Sequence, residues 1–258
     1  MTLPEHAAEN LRYWNGMADD WVAMGERAWD ATEITWGEWG VPEADLRLLP
    51  DDVTGLDVIE LGCGTGYVSG WLARRGARVT GLDLSDRQLA TARRLADEHG
   101  ADIRFVRASA EDVPFPDDSF ELAVSEYGAP TWCDPDRWLP EAARILRPGG
   151  RLVFLTNHPL THVATPADGS AVVRSFERPW FGPERHDWRE AEVEPGGIEY
   201  GPTPAGWIRR LRAFGFSIEA YHELRAPEGD GDEVKFFVDR AWAHDFPSEH
   251  VWVAELEG

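Results

Sequence analysis

The hydrophobic pattern changes character along the chain. Over residues 5–30, Leu11, Trp14, Met17, Ala18, Trp21, Val22 and Met24 recur at three- and four-residue steps, so one or two amphipathic helices are expected. Residues 32–50 are broken by Gly37, Gly40 and Pro42, and Pro42-Glu43-Ala44-Asp45 suits the first turn of a short helix. From residue 57, short apolar runs alternate with helical patterns, which predicts a parallel sheet with crossover helices. Strands are expected over 57–61, 78–83, 103–107, 120–125 and 151–156, and helices over 67–75, 86–99 and 138–146. Residues 157–203 are rich in proline and glycine with weak periodicity, and read as an insertion over the functional edge of the sheet. A helix over 204–214, a strand over 216–221, an acidic glycine-rich loop over 228–233, a helix over 234–244 and a strand over 250–255 complete the expected order.

Composition narrows this picture little. The chain has 258 residues, 43% apolar and 28% charged, as expected of one large α/β domain. It shows no apolar run long enough to span a bilayer. The segment Met1-Thr2-Leu3-Pro4-Glu5-His6 shows no secretory pattern, and only Cys63 and Cys133 are present, so reduced thiols and a cytoplasmic setting are expected. Charge excludes more. A net charge of −22 repels phosphate backbones, which disfavours DNA or RNA as substrate. Thirteen tryptophans stand out, and Trp14, Trp21, Trp29, Trp36 and Trp39 all precede residue 40.

The candidate chemistry gathers at Val58-Ile59-Glu60-Leu61-Gly62-Cys63-Gly64-Thr65-Gly66, an apolar run that ends in an acid and breaks into a glycine turn before a helix. In an open parallel sheet, ligands bind beyond the carboxyl ends of the strands. Those ends bring Glu60, Asp83, Ser109 to Asp112, and Ser125 to Gly128 to one rim. Asp83 follows Gly62 by 21 residues, the spacing at which an acid meets ribose hydroxyls. A dinucleotide site would want a third glycine where Tyr67 stands, and Glu60 sits poorly beside a pyrophosphate. A nucleoside with a positive end fits better.

These motifs resemble those of class I S-adenosylmethionine-dependent methyltransferases. Glu60-Leu61-Gly62-Cys63-Gly64-Thr65-Gly66 matches the first family motif and Gly81-Leu82-Asp83-Leu84-Ser85 the second. The segment 110–120 and Leu146-Arg147-Pro148-Gly149-Gly150-Arg151-Leu152 resemble the small-molecule group called methyltransferase type 11. The resemblance spans residues 55–156, with a further echo at Leu211-Arg212-Ala213-Phe214-Gly215-Phe216. It implies a Rossmann-like α/β fold of seven strands in the order 3-2-1-4-5-7-6, the seventh antiparallel, with helices on both faces. It also implies S-adenosylmethionine as cofactor, held around Gly62, Cys63, Gly64 and Gly66, with Glu60 at its cationic end and Asp83 on the ribose. Leu84, Ser85, Gln88, Ser109, Ala110 and Glu111 would lie around the adenine side, and the Ser125 carbonyl near the amino group. Ser109 departs from the aspartate that many relatives carry. Tyr13 and Trp21 resemble the aromatics of a first helix that closes over the cofactor.

Residues 1–50 are thus expected to form a helical lid and substrate-binding segment on a methyltransferase domain over 51–258. The acceptor would be a small molecule in an aromatic pocket drawn from Trp29, Trp36, Trp132, Trp180 and Phe181. Should the acceptor have to lose a proton, His158 is the first candidate base, with Glu126 and Tyr127 next. No metal is expected: His158 and His162 are separated by Pro159, and the segment does not read as helical. Competing readings are a nicotinamide oxidoreductase on a similar sheet, a cofactor-binding protein that does not transfer, and a methyltransferase of protein or RNA.

Overall fold

The computed structural model describes residues 3–193, 195–229 and 233–258. Its centre is a seven-stranded sheet: β1 (Asp57–Leu61), β2 (Arg78–Asp83), β3 (Ile103–Arg107), β4 (Phe120–Glu126), β5 (Leu146–Asn157), β6 (Phe216–Leu224) and β7 (Glu249–Leu256). Their spatial order is β3-β2-β1-β4-β5-β7-β6. The first five strands run parallel, while β7 is antiparallel to both β5 and β6. This is the fold class and strand order implied by the sequence.

Both faces are covered, which explains why the central strands read as continuous apolar runs rather than alternating ones. On one face Ile59, Leu61, Ala123 and Phe154 pack with Trp138, Trp207 and Leu211. On the other, Val58, Val124, Val153 and Val251 pack with Val68, Trp71, Leu72 and Trp36. The helices are α1 (Glu5–Met17), α2 (Val22–Asp30), α3 (Tyr67–Arg74), α4 (Asp86–His99), α5 (Pro135–Ile145), α6 (Pro159–Ala164), α7 (Pro204–Ala213) and α8 (Arg240–Asp245), plus single turns at Glu43–Leu46 and Ala129–Trp132. Ser85 caps α4 by accepting from the Gln88 N–H, and Gly100 ends it in the left-handed region.

Several expected boundaries move for local reasons. Helix α5 starts at Pro135, not residue 138, because Asp134 caps it and proline fits its first position. Strand β5 begins at Leu146, which pairs with Phe120 before a register shift brings Arg151 opposite Leu122. The helix expected over 234–244 is instead a small hairpin, Val234–Lys235 with Val238–Asp239, followed by α8. Phe236 turns that hairpin at φ 51°, and the Asp239 side chain caps α8 by accepting from the Trp242 N–H. Of the acidic loop expected over 228–233, residues 230–232 lie outside the described residues. The insertion is not structureless. It holds α6, which the sequence reading missed, and a hairpin of Arg185–Asp187 with Ile198–Tyr200. Among the described residues, no helix is long and apolar enough to cross a membrane.

Candidate active site

The glycine turn between β1 and α3 leans on the neighbouring strand. The Gly62 and Cys63 N–H groups both donate to the Leu82 carbonyl, at 2.8 and 2.9 Å. Gly62 adopts φ 78°, and a Cβ there would stand 2.6 Å from the Cα of Gly128, so two loops cross with no room for a side chain. Gly66 precedes α3 at φ 77° and has no side chain to cap it. Glu60 does this instead, its Oε2 accepting from the Ser69 N–H at 2.8 Å and from the Ser69 hydroxyl. Burial pushes the Glu60 carboxyl up to about 8 although the Ser69 bonds oppose the shift.

Asp83 fastens the turn to β2. Its Oδ2 accepts from the Gly64 N–H and its Oδ1 from the Ser85 N–H, both at 2.8 Å. Burial raises its pKa, and these two backbone bonds work against that rise. A carboxylate offers about four acceptor positions, so capacity remains for a ligand's hydroxyls. The point where a Cβ of Gly64 would stand has nothing within 4 Å, so the turn presents bare backbone to open space.

Helix α1 closes over this rim. Asn15 accepts from the Ser85 hydroxyl at 2.7 Å. Asn10 donates to the Trp132 and Ile198 carbonyls and accepts from the Ile198 N–H, joining α1 to the end of β4 and to the insertion at once. Tyr13 and Trp14 contact Trp132, and Trp21 stacks on Phe236 with centroids 5.2 Å apart. The space enclosed is about 770 Å³, within the range of small-molecule sites.

The cavity is lined by Glu60, Gly62, Cys63 and Gly64, by Asp83, Leu84, Ser85 and Gln88, and by Ser109 and Ala110. Tyr13 and Trp21 line it from the N-terminal segment. Gly37 and Glu38, Glu126 and Tyr127, Lys235 and Phe236, and His162, Trp188 and Glu199 of the insertion line it as well. Cys63 is a thiol here, since burial raises its pKa well above the usual value.

A family model described as a methyltransferase domain matches residues 59–154. The chain is 39% identical over 166 residues to the demethylmenaquinone methyltransferase of Thermus thermophilus, which covers 62% of this chain and 74% of that protein. It is 32% identical over 178 residues to a ubiquinone biosynthesis O-methyltransferase of Caulobacter vibrioides, covering 60% and 67% respectively. A solved S-adenosylmethionine dependent methyltransferase from Mesorhizobium loti superposes on 82% of this chain and 95% of its own, with TM-score 0.65 and 29% identity. The chain belongs to the class I S-adenosylmethionine-dependent methyltransferases. It is an enzyme of that class, and S-adenosylmethionine is its cofactor. The bare turn above Gly64 and the spare acceptor capacity of Asp83 suit that molecule's backbone approach and ribose hydroxyls.

Three residues expected at this methyltransferase's site stand elsewhere. Gly66 occupies the turn before α3, and a Cβ on it would press on Phe105 and Ala92 at 3.1 and 3.2 Å. Glu111 is held by His6 at 2.5 Å and by Arg137 at 2.8 Å, and accepts from the Asp134 N–H, so it ties α1 to α5. The Ser125 hydroxyl donates to the Leu61 carbonyl and accepts from the Ala129 N–H, which leaves its carbonyl, the atom expected near the amino group, out of those bonds. His158 is not a cavity residue: its Nδ1 accepts from the Leu160 N–H, capping α6, and its Nε2 lies 3.4 Å from Glu223. Burial pushes it down to about 4, with Glu223 opposing.

The expected aromatic pocket also changes. Trp29 and Trp36 are completely buried in the core, Trp29 donating to the Thr65 carbonyl at 2.9 Å. Trp180 and Phe181 face outward, Phe181 at 95% exposure. Of that set, Trp132 lines the cavity. Tryptophan-rich sequence does not distinguish a wall from a core, because both want large apolar surface. The Glu38, Glu199 and Lys235 positions gave no signal in the sequence, since each arrives on a hairpin or loop whose placement is set by tertiary contacts.

Proposed function

We propose that this enzyme transfers the methyl group of S-adenosylmethionine to a small-molecule acceptor held in the second half of the cavity. The observation that carries the proposal is that one continuous cavity is lined both by the glycine turn and Asp83 and by further aromatic and polar groups. In this reading Gly62 to Gly64 approach the methionine portion with bare backbone, Asp83 takes the ribose, and Leu84, Ser85, Gln88, Ser109 and Ala110 surround the adenine. Tyr13 and Trp21 cover the cofactor, and their ring faces suit a sulfonium. Residues 1–50 and the insertion over 157–203 act as the cover of the acceptor half. An enclosed site of this size and a net charge of −22 both speak against a nucleic-acid acceptor.

Bound S-adenosylmethionine supplies an already activated methyl carbon, whose bonding pair returns to sulfur on transfer. The chain therefore has two tasks: to align the acceptor and to exclude water. Glu126 is the best-placed group to take a proton from an acceptor, since it lines the cavity and burial holds its carboxyl up at about 7. The demethylmenaquinone methyltransferase and the ubiquinone biosynthesis O-methyltransferase that this chain resembles support a small acceptor without fixing its chemistry.

Calorimetric titration with S-adenosylhomocysteine, followed by mass spectrometry of a small-molecule panel incubated with the methyl donor, tests the proposal. Cofactor binding with transfer to at least one small molecule is expected. Binding without transfer to any of the phenols, amines and carboxylates would favour a role without methyl transfer.

A further inference from the structure

Acidic side chains outnumber basic ones in the cavity wall. Glu38, Glu126 and Glu199 reach it from three separate elements: the turn after Trp36, the end of β4, and the insertion hairpin. Glu249 of β7 lies directly behind, accepting from the Glu38 N–H at 2.8 Å and from the Tyr127 hydroxyl. Arg27 and Lys235 line the cavity too; the Lys235 Nζ is already committed to the Glu38 carbonyl at 2.5 Å, with Glu233 4.0 Å away, and Glu199 has the His162 ring at 3.1 Å and the Trp188 N–H at 3.2 Å.

Glu126 carries the argument furthest. It is 8% exposed, and its Oε1 accepts from the Gly37 N–H at 2.7 Å. Its Oε2 is buried and makes no hydrogen bond of full geometry, although the Tyr67 hydroxyl faces the same carboxylate, and the residue lines the cavity. A buried carboxylate oxygen left without a donor is costly, and native proteins rarely leave one so. Burial lifts Glu126 and Glu249 to about 7 and Glu38 well above its usual range, and neighbouring acids add to this at Glu38 and Glu126 while Lys235 opposes it at Glu38 and Glu249. Tyr67, Tyr127, Trp188 and Phe236 line the same space, and aromatic faces attract cations.

We infer that the acceptor is an organic ammonium, a small primary or secondary amine whose charged nitrogen is held by the free oxygen of Glu126. The inference rests on the methyl-transfer reading above and names its substrate class. An anionic acceptor would meet three carboxylates. A neutral phenol would satisfy one oxygen and leave the surplus negative charge in place. An ammonium donates to Glu126 and offsets Glu38 and Glu199 together. The same contact handles the proton: the ammonium gives one proton to the Glu126 carboxylate, and the nitrogen lone pair so released forms the bond to the methyl carbon. The carbon–sulfur bond breaks, its pair stays on sulfur, and the methylated ammonium leaves with the Glu126 proton still to be returned to water.

The test uses the full-length protein saturated with S-adenosylhomocysteine and three probes of one skeleton: phenethylamine, 4-ethylphenol and 3-phenylpropionate. Calorimetry is expected to show phenethylamine binding at least tenfold more tightly than either other probe. Glu126→Gln, which keeps a carbonyl for the Gly37 N–H, should weaken phenethylamine binding tenfold or more and leave S-adenosylhomocysteine affinity within twofold. Glu38→Gln, which removes only charge, should weaken the amine several-fold and provides the reading if Glu126→Gln is unstable. With the methyl donor, mass spectrometry should find N-methylphenethylamine. Tighter binding of the phenol or the carboxylate would overturn the inference. So would a loss of S-adenosylhomocysteine affinity in Glu126→Gln, because the free oxygen would then serve the cofactor's own ammonium. Failure of the wild-type protein to bind S-adenosylhomocysteine would instead count against the methyl-transfer reading.

Discussion

Replacing Asp83 by asparagine isolates the group that joins the glycine turn to the second strand. Both carboxylate oxygens accept a backbone N–H, Gly64 on one side and Ser85 on the other, each at 2.8 Å. An asparagine has one carbonyl oxygen, so in either orientation its NH₂ must face a backbone N–H. One hydrogen bond to a charged group is lost and a donor meets a donor. Such bonds contribute about 1.5–3 kcal/mol. If Gly64 stays in place, the loss falls on stability, at about 2–4 °C of melting temperature per kcal/mol for a domain of this size. If the turn swings away instead, the loss falls on cofactor binding, about 10- to 150-fold in S-adenosylhomocysteine affinity. Thermal unfolding and calorimetry on the same variant measure both, and the two losses together should reach 1.5 kcal/mol or more. An Asp83→Asn protein unchanged in both would refute the reasoning.

Other consequences follow from named contacts. Trp29→Ala should lose about 3–5 kcal/mol in chemical denaturation, because the indole is fully buried against Gly70 and its N–H holds the Thr65 carbonyl; a loss under 1 kcal/mol would contradict that packing. Stability should fall as pH rises from about 6.5 to 8. Glu60, Glu126 and Glu249 have folded pKa values raised to between about 7 and 8, so their contribution is complete below the unfolded value near 4.5 and disappears as pH passes the folded one. The groups facing Glu126 are the Gly37 N–H, Tyr67 and Glu249, with Glu38 and Lys235 nearby. Buried His158, His186 and His250 are pushed down, so charging of the unfolded histidines near 6.5 opposes this fall at its lower end and fades by about pH 7.5. Glu126→Gln should flatten the slope in melting temperature, and an unchanged slope would assign it to other groups. His158→Ala should lower stability by about 0.5–2 kcal/mol through its cap while transfer rates persist; abolished transfer in a folded variant would restore His158 as a base.

How much of this was legible in the sequence depended on whether a feature is local. The alternation of apolar runs and helices, Gly62 and Gly66 at positive φ, and Ser85 capping its helix are settled by neighbours in the chain, and all could be read directly. Glu111 was misleading for the opposite reason. Its motif position is right, but long-range partners, His6 and Arg137, occupy its carboxylate. The helix expected over 234–244 fails similarly, because an apolar pattern that short fits a hairpin and a helical turn equally well.

The sequence by itself predicted most of the strands through local patterning, and its resemblance to class I methyltransferases implied their order and the cofactor-binding motifs. Tertiary structure decided the acceptor end. Only folding brings the Gly37 N–H to Glu126, Glu38 to Glu249, and Glu199 from the insertion to the same space, across separations of 89 and 211 residues in the first two pairs. Buried charge is a property of what surrounds a carboxylate rather than of the residue itself, so the demand for a cation could appear only once the chain had closed around it.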